Sequence, residues 1–355
     1  MNVRRKKNPV NGIRNKLCRL AYRLPVLRAL ACRMAELERK NEQLSAYCAK
    51  LQEKSDGLDY RIDDVYHQIF LNQKEMSQCW YRLLPRDQYP EALKEWYLRE
   101  TGKKLDLEHP ISFNEKIQWI KLYGLNEKCT QLADKYAVRD HIAKVLGREY
   151  LTELYGVWDT FDAIDFERLP KQFILKATHG SSMNLIVTDR ASFDRVQAEK
   201  QFRRWLCTDY AFYTGFELHY SAIPRRIIAE EYLQHPYGGG LAEYKVYLFH
   251  GKPEYIAYYE DTAEGRMMAC FDPEWNRLPY LLKGYLRAGE IKRPPQLAVI
   301  LDLSRRLGRE FLFLRADWYL VDGSVKFGEM TFTPGSGILE RDLELDRAMG
   351  ARLHL

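Results

Sequence analysis

Residues 311–337 read FLFLRADWYLVDGSVKFGEMTFTPGSG. Two runs rich in β-branched and aromatic residues, Phe311–Val321 and Val325–Phe332, flank an Asp-Gly pair, which is the pattern of a β-hairpin. The length of the turn decides which side chains meet. A two-residue loop, Asp322-Gly323, sets Asp317 opposite Gly328 and turns Glu329 to the other face. A three-residue loop, Asp322-Gly323-Ser324, pairs Val321 with Val325 and sets Asp317 opposite Glu329. Arg315, Asp317, Glu329 and Thr331 then share one face. Leu312, Leu314, Ala316, Trp318, Leu320, Met330 and Phe332 share the other. A one-residue slip would scramble both faces, so the three-residue loop is the expectation. Two carboxylates facing each other across a sheet repel. Mg²⁺ is the usual neutraliser where phosphates also bind. The alternative, from the hairpin alone, is a solvated face on which Arg315 pairs with Asp317.

Two further segments could carry chemistry. In QFILKATHGSSMN, residues 172–184, Lys176 closes an apolar strand and a small, donor-rich loop follows. A lysine beside free backbone N–H groups can hold a polyphosphate. The GxxxxGK[ST] spacing of a P-loop is absent, and taken alone the segment reads better as a plain surface loop. In RRIIAEEYL, residues 225–233, two carboxylates end an apolar strand before a Pro/Gly-rich stretch. Taken alone this is a strand end. Ser112 with Glu115 three residues on is a capping-box spacing, and Asp134–Leu146 and Leu297–Leu307 read as amphipathic helices. Tyr244–Phe249 and Tyr255–Tyr259 read as strands. Helices and strands mixed without a regular βαβ beat indicate α+β layering.

In order along the chain, FNEKIQWIKLYG, ADKYAVRDHI, LPKQFILKATHGSS, EEYL, AEYKVYLFHGKP, RADWY and FGEMTFTPGSG resemble the TupA-like branch of the ATP-grasp superfamily, associated with teichuronopeptide and surface-polysaccharide synthesis. The resemblance runs from near Phe113 to the C-terminus. It implies an ATP-grasp fold, in which two α+β subdomains clasp ATP, with ATP and Mg²⁺ as cofactors. It also implies roles. Lys135 and Lys176 are the phosphate-holding lysines, and His179, Gly180, Ser181 and Ser182 form the mobile loop over the phosphates. Glu230, Glu231 and Leu233 are the hinge that meets adenine, where a carboxylate takes the ribose. Lys245 is the basic group near the γ-phosphate. Lys176, Lys245 and Arg315 make the catalytic set, and Asp317, Glu329 and Thr331 the metal ligands. Two positions depart from the pattern: Thr331 stands where Asn is frequent, and Ser182 where a second Gly is expected.

The rest of the chain is different in kind. Residues 1–35 hold ten Lys/Arg and no acid. With those ten set aside from the 55 basic residues, against all 49 acidic ones, the remainder is slightly acidic. Leucines recur at helical spacing between the arginines of residues 16–33, with Pro25 expected to kink or break the pattern. Leu30, Met34, Leu37, Asn41, Leu44, Cys48, Leu51, Ser55, Leu58, Ile62, Val65 and Ile69 then follow at alternating steps of four and three. That is a heptad with Asn41 at an a position, a device for fixing register in a parallel dimer. The alternative is one amphipathic helix packed on the body, but a strict 3.5 repeat drifts off a single face. Seven scattered cysteines form neither a CxxC motif nor a Cys/His cluster, which fits a reducing cytosol. No signal peptide and no membrane span are expected.

The expected organisation is a basic amphipathic tail over 1–29, a coiled coil over 30–75 and a TupA-like ATP-grasp catalytic domain over 80–355. The expected activity is ATP- and Mg²⁺-dependent carboxylate–amine ligation, by an acyl-phosphate mechanism, on a cell-envelope or capsular polysaccharide or sugar precursor. An amine donor is the second substrate. The alternatives are an ATP-using glycan transferase, by phospho- or glycosyl-transfer, and a membrane-bound ATP-binding assembly protein without turnover. Expected partners are an anionic membrane surface through residues 1–35 and a second copy through the coiled coil. The location is cytoplasmic, at the inner face of the membrane. No nucleic-acid recognition module accompanies the basic charges, so no nucleic acid is expected.

Overall fold

The computed structural model describes residues 25–52, 76, 78–234 and 241–355. The chain divides into two compact units, residues 1–86 and residues 87–355. In the first unit, helix α1 runs Pro25–Gln52. Its buried residues Leu37, Asn41 and Cys48, with half-buried Met34 and Leu44, are a and d positions of the heptad. The rest of the proposed coiled coil and the basic arm lie outside the described residues.

The second unit holds two antiparallel sheets. The smaller has the order β1-β4-β2-β3, from Leu154–Trp158, Phe173–Ala177 (β2), Asn184–Val187 (β3) and Ile227–Glu230 (β4). The larger follows β11-β10-β5-β6-β7-β8, with β9 on β7. Its strands are Glu243–Phe249 (β5), Lys252–Thr262 (β6), Gly265–Phe271 (β7), Arg277–Leu278 (β8), Leu286–Arg287 (β9), Phe313–Val321 (β10) and Ser324–Thr331 (β11). Of the helices that matter below, Phe113–Trp119 carries the expected capping box of Ser112 and Glu115. Val138–Val145 is shorter than its sequence pattern, because turns occupy 135–137.

The small sheet buries one face in a core of its own, whereas the large sheet is packed on both faces. Phe173, Leu175, Ala177, Ile227 and Ala229 pack with Phe161, Phe166, Phe202 and Tyr210 behind the small sheet. Tyr244, Val246, Leu248, Leu314, Ala316 and Trp318 pack with the helix Leu297–Gly308 behind the large one. Trp318 is fully buried, and its indole N–H donates to Ser304 Oγ at 2.9 Å. Full burial of one large side chain contributes roughly 1.5–3 kcal/mol. On the second face of the large sheet Tyr247, Phe249, Tyr255 and Phe313 pack against Phe113, Ile117, Leu345 and Met349. The part left open, with Glu243, Lys245 and Glu329, lines one cleft with the Lys176 side of the small sheet.

The hairpin differs from its expected register in an informative way. Val321 pairs with Ser324 and Leu320 with Val325, so the turn is the two-residue Asp322-Gly323. Asp322 and Gly323 both take positive φ, at 49° and 75°, as the twist-matched hairpin turn requires. The pairing then shifts between Ala316 and Trp318, where Asp317 faces both Gly328 and Glu329. This β-bulge supplies the extra residue that the sequence reading placed in the turn. Arg315, Asp317, Glu329 and Thr331 therefore still share a face, while Trp318 and Phe327 share the other.

Candidate functional site

A cleft of about 880 Å³ lies between the two sheets. Its apolar lining comes from Val138, Leu151, Ile174, Ile186, Leu233, Leu241 and Phe327. Ile174 and Lys176 point the same way because they alternate with buried Phe173, Leu175 and Ala177 along β2. Ile186, exposed at 49%, is an apolar part of the wall. Glu231, Tyr232 and Leu233 line the cleft without regular structure.

Cations line the cleft as well. Lys135, Arg139 and Lys176 line the cleft on one side, Lys245 and Arg266 on the other. The Lys135 ammonium donates to the Gly180 carbonyl. Burial pulls Lys135 down to about 8, neighbouring Lys176 adds to that, and Glu329 and Glu230 oppose it. Lys176 donates to Glu230 Oε2 at 2.7 Å, and Arg139 to Glu230 Oε1 at 2.5 Å. Burial pushes Glu230 up, but Lys176 and Arg139 outweigh it and hold the carboxyl below its ordinary range.

The large sheet carries the third group. Asp317 lies directly opposite Lys245, Arg315 opposite Tyr247, and Tyr319 opposite Glu243. Asp317 is fully buried. Arg315 grips it with Nε on Oδ1 and Nη2 on Oδ2, both at 2.7 Å. The same Nη2 reaches Glu329 Oε1 at 2.5 Å, and Thr331 Oγ1 donates to that oxygen at 3.0 Å. Lys245 donates to Asp317 Oδ2 at 2.9 Å and lies 3.0 Å from Glu243 Oε1. Burial raises the Asp317 carboxyl against the pull of Arg315 and Lys245. Burial also raises Glu329, but Arg315, Lys245 and Lys135 bring it down to about 2, so it is ionised.

The expected site residues thus divide. Lys135, Lys176, Ser182, Glu230, Glu231, Leu233, Lys245 and Glu329 line the cleft. Ser182 has φ +58°, the left-handed region that favours glycine, at the position where the family pattern has its second glycine. His179, Gly180 and Ser181 do not line the cleft. His179 is buried, with Nε2 3.0 Å from the Trp205 carbonyl, and burial pulls its imidazole down to about 4. It is a neutral loop anchor. Glu230 has both oxygens occupied by cations, Lys176 on one and Arg139 on the other. Arg315, Asp317 and Thr331 lie behind the cleft surface, reached through Glu329 and Lys245. Arg139, Glu243 and Arg266 line the cleft and were not singled out from sequence. Glu243 accepts from Arg266 at 2.5 Å and from Tyr319 at 3.3 Å. AVRDHI and AEYK contained two of them, but only the long-range pairings show their use.

The TupA-like ATPgrasp family model matches residues 115–354, about two thirds of the chain. The chain belongs to the TupA-like ATP-grasp family. The cleft and its cations fall within the matched residues. Solved structures with likeness to it include an L-amino acid ligase from Bacillus licheniformis (16% identity, 63% of this chain and 49% of that one, TM-score 0.40). A D-alanine–D-alanine ligase from Helicobacter pylori is similar over 68% of this chain and 69% of that one, at 16% identity and TM-score 0.36. A D-alanine–D-alanine ligase from Bacillus anthracis complexed with ATP is similar over 59% and 57%, at 13% identity and TM-score 0.37. The TupA-like chain spans about half the length of the first of these. These likenesses are distant, and family membership rests on the family match. No curated protein matches the chain in sequence.

ATP is the nucleotide of this fold, and the TupA-like cleft suits it. Its lining combines apolar walls with the Lys135 and Lys176 ammoniums. The fit to Mg²⁺ is uneven. Glu329 is ionised, its side chain is 39% exposed, and it offers the hard oxygen that Mg²⁺ takes. Asp317 has both oxygens held by Arg315 and Lys245, so it becomes available only when those cations withdraw. Among the described residues no group of three or more His, Cys, Asp or Glu is placed to hold a metal ion.

Proposed function

We propose that this TupA-like protein is an ATP- and Mg²⁺-dependent carboxylate–amine ligase that acts on a cell-envelope polysaccharide or its sugar precursor. The observation that carries the reading is what one cleft brings together. It joins apolar walls, the Lys135 and Lys176 ammoniums and the Arg315, Lys245, Asp317 and Glu329 centre, of which Lys245 and Glu329 line the cleft and Arg315 and Asp317 are buried behind them. A nucleotide lying along it would bring its terminal phosphate to that centre. The glycan acceptor is supported by the family resemblance.

Phosphoryl transfer needs alignment and charge neutralisation more than acid–base groups. Lys135 and Lys176 would bind the phosphates. Lys245 and Arg315 offer positive charge where the transferred phosphoryl and the acceptor carboxylate meet, at a place already out of bulk water. Mg²⁺, held by Glu329 and by Asp317 once it is released, would neutralise further phosphate charge. The acceptor carboxylate oxygen attacks the γ-phosphorus, the bond to the β-phosphate oxygen breaks, and ADP leaves. The amine then attacks the acyl carbon, phosphate departs, and the nitrogen loses a proton. A screen of ATP consumption with uronic acids paired with amino acids or amino sugars tests this. ADP and phosphate should appear only when both partners are present.

The basic residues within 1–35 would hold the enzyme on an anionic membrane at the cytoplasmic face, each contributing about 1 kcal/mol near the surface. The heptads would pair two copies and raise avidity. No described helix is long and apolar enough to cross a membrane. Flotation with liposomes tests the attachment. Binding should need anionic lipid, weaken with salt and vanish without residues 1–35; equal binding to neutral vesicles would contradict it.

A further inference from the structure

Arg139 stands one helical turn after Lys135, in the helix Val138–Val145. Its guanidinium is partly buried, with 13% of the side chain exposed. Nη1 donates to Glu230 Oε1 at 2.5 Å, and Nη2 to the Thr152 carbonyl at 2.5 Å. The second bond ties Arg139 to the segment leading into β1 and fixes its aim. Glu230 sits between two cations. Its other oxygen holds the Lys176 ammonium at 2.7 Å, and only 8% of its side chain is exposed.

This arrangement has a charge problem built into it. Lys176 is the cation that enters the cleft from β2, yet its nearest partner is a buried carboxylate. A lone Lys176–Glu230 pair would be neutral and would compete with any phosphate for the ammonium. Arg139 changes the balance. Two cations on one carboxylate leave the cluster with one net positive charge, and Lys135 adds to it. The Arg139 guanidinium also repels the Lys176 ammonium across the shared carboxylate, which weakens the net hold on the lysine.

We propose that Arg139 is a positioning residue for nucleotide binding: it takes up the charge of Glu230 so that the Lys176 ammonium is free to hold the phosphates. The proposal rests on the reading of the cleft as the ATP site. It explains why a buried acid can stand beside a phosphate-binding lysine. The acid aims Lys176, and Arg139 prevents it from consuming the lysine's charge.

The test is a mutant cycle read by calorimetric titration of the full chain with Mg²⁺ and a non-hydrolysable ATP analogue. Arg139→Met should weaken binding about tenfold, in line with coupling between charges in direct contact. Glu230→Gln in that background should restore most of the loss, since the acid that captures Lys176 is gone. Arg139→Lys should lose less, because it keeps the charge but cannot bridge to Thr152. Glu230→Gln should rescue it too, which keeps the cycle readable if Arg139→Met fails to fold. A residue that served only packing would give a double mutant as weak as Arg139→Met or weaker, and that result overturns the proposal. So does unchanged affinity in both Arg139 variants. Absence of nucleotide binding by the unmutated chain would overturn the cleft reading and this proposal with it, whereas a normal parent with a failed rescue overturns the role of Arg139 alone.

Discussion

Replacing Arg315 by Met should unbalance the buried centre of the large sheet. The guanidinium is 10% exposed and makes three bonds of 2.5–2.7 Å to Asp317 and Glu329. Removing one partner of a buried ion pair costs about 3–5 kcal/mol, because the remaining charge stays uncompensated. Lys245 still reaches Asp317 at 2.9 Å, and Thr331 still donates to Glu329 at 3.0 Å. The lower end, about 3 kcal/mol, is therefore the expectation near neutral pH. For a unit of this size that lowers the melting temperature by roughly 6–12 °C. The sign with pH follows from linkage. With Arg315 present, Glu329 is held down to about 2 from its ordinary 4.5. Its contribution is present above the unfolded value and is lost as pH falls through the folded one. Without Arg315 burial lifts the folded value, and once it stands above the unfolded one the cost of keeping Glu329 charged grows from the unfolded value up to the folded value and stays in full above it. The destabilisation should be larger at about pH 7.5 than at about pH 5. Millimolar Mg²⁺ should also raise the melting temperature of the variant more than that of the parent, as a cation returns to the two carboxylates. Scanning calorimetry with and without Mg²⁺ measures all three effects. A variant as stable as the parent at neutral pH, or a loss independent of pH, would refute the reasoning.

Lys135, pulled down to about 8 by burial and by Lys176, should gain protons when a triphosphate arrives. Titration of nucleotide at about pH 8 in buffers of different ionisation enthalpy should show net proton uptake that disappears in Lys135→Met. Lys121 is buried, donates to Gln118 Oε1 at 2.9 Å and lies 4.3 Å from the Trp96 ring centroid. Burial pulls it down to about 7 from 10.5, against nearby Glu217. The unfolded chain binds the proton more tightly, so this lysine makes stability rise between about pH 7 and pH 10.5, by an amount on the order of 1–2 kcal/mol over the first two units. Lys121→Met should flatten that rise in denaturant titrations; an unchanged slope would show the lysine to be solvated.

Much of the fold was legible because it is written in short-range patterns. The alternation in 311–332, the capping box at Ser112 and the apolar strand before Lys176 each fix a local element. The hairpin shows where that stops. Face segregation was read correctly and the turn length wrongly, since a bulge and a longer loop supply the same extra residue. Gly328 is the trace the bulge leaves in the sequence. A Cβ there would meet the Asp317 carbonyl and the Tyr319 ring at 3.0 Å. The short strands Leu154–Trp158 and Asn184–Val187 were missed. Neither has a long alternating run, and both are defined by their pairing with distant strands. The same limit applies in the site. Glu230 meets Arg139 across 91 positions and Lys176 across 54. Its clamped state could not be seen from a strand end that reads EEYL. His179 beside a glycine looks like a loop ligand until Trp205, 26 residues on, takes its ring nitrogen.

The central claim is that the Arg315, Lys245, Asp317 and Glu329 centre carries phosphoryl transfer from ATP. It is tested most directly by ADP formation in Glu329→Gln, measured with a substrate pair on which the parent turns over. The change leaves the side chain's size intact and removes the one open, ionised carboxylate of that centre. The account predicts a folded protein, by circular dichroism and melting, that forms no ADP above background at millimolar Mg²⁺, with Asp317→Asn behaving alike. Turnover within a few-fold of the parent in either variant would contradict it.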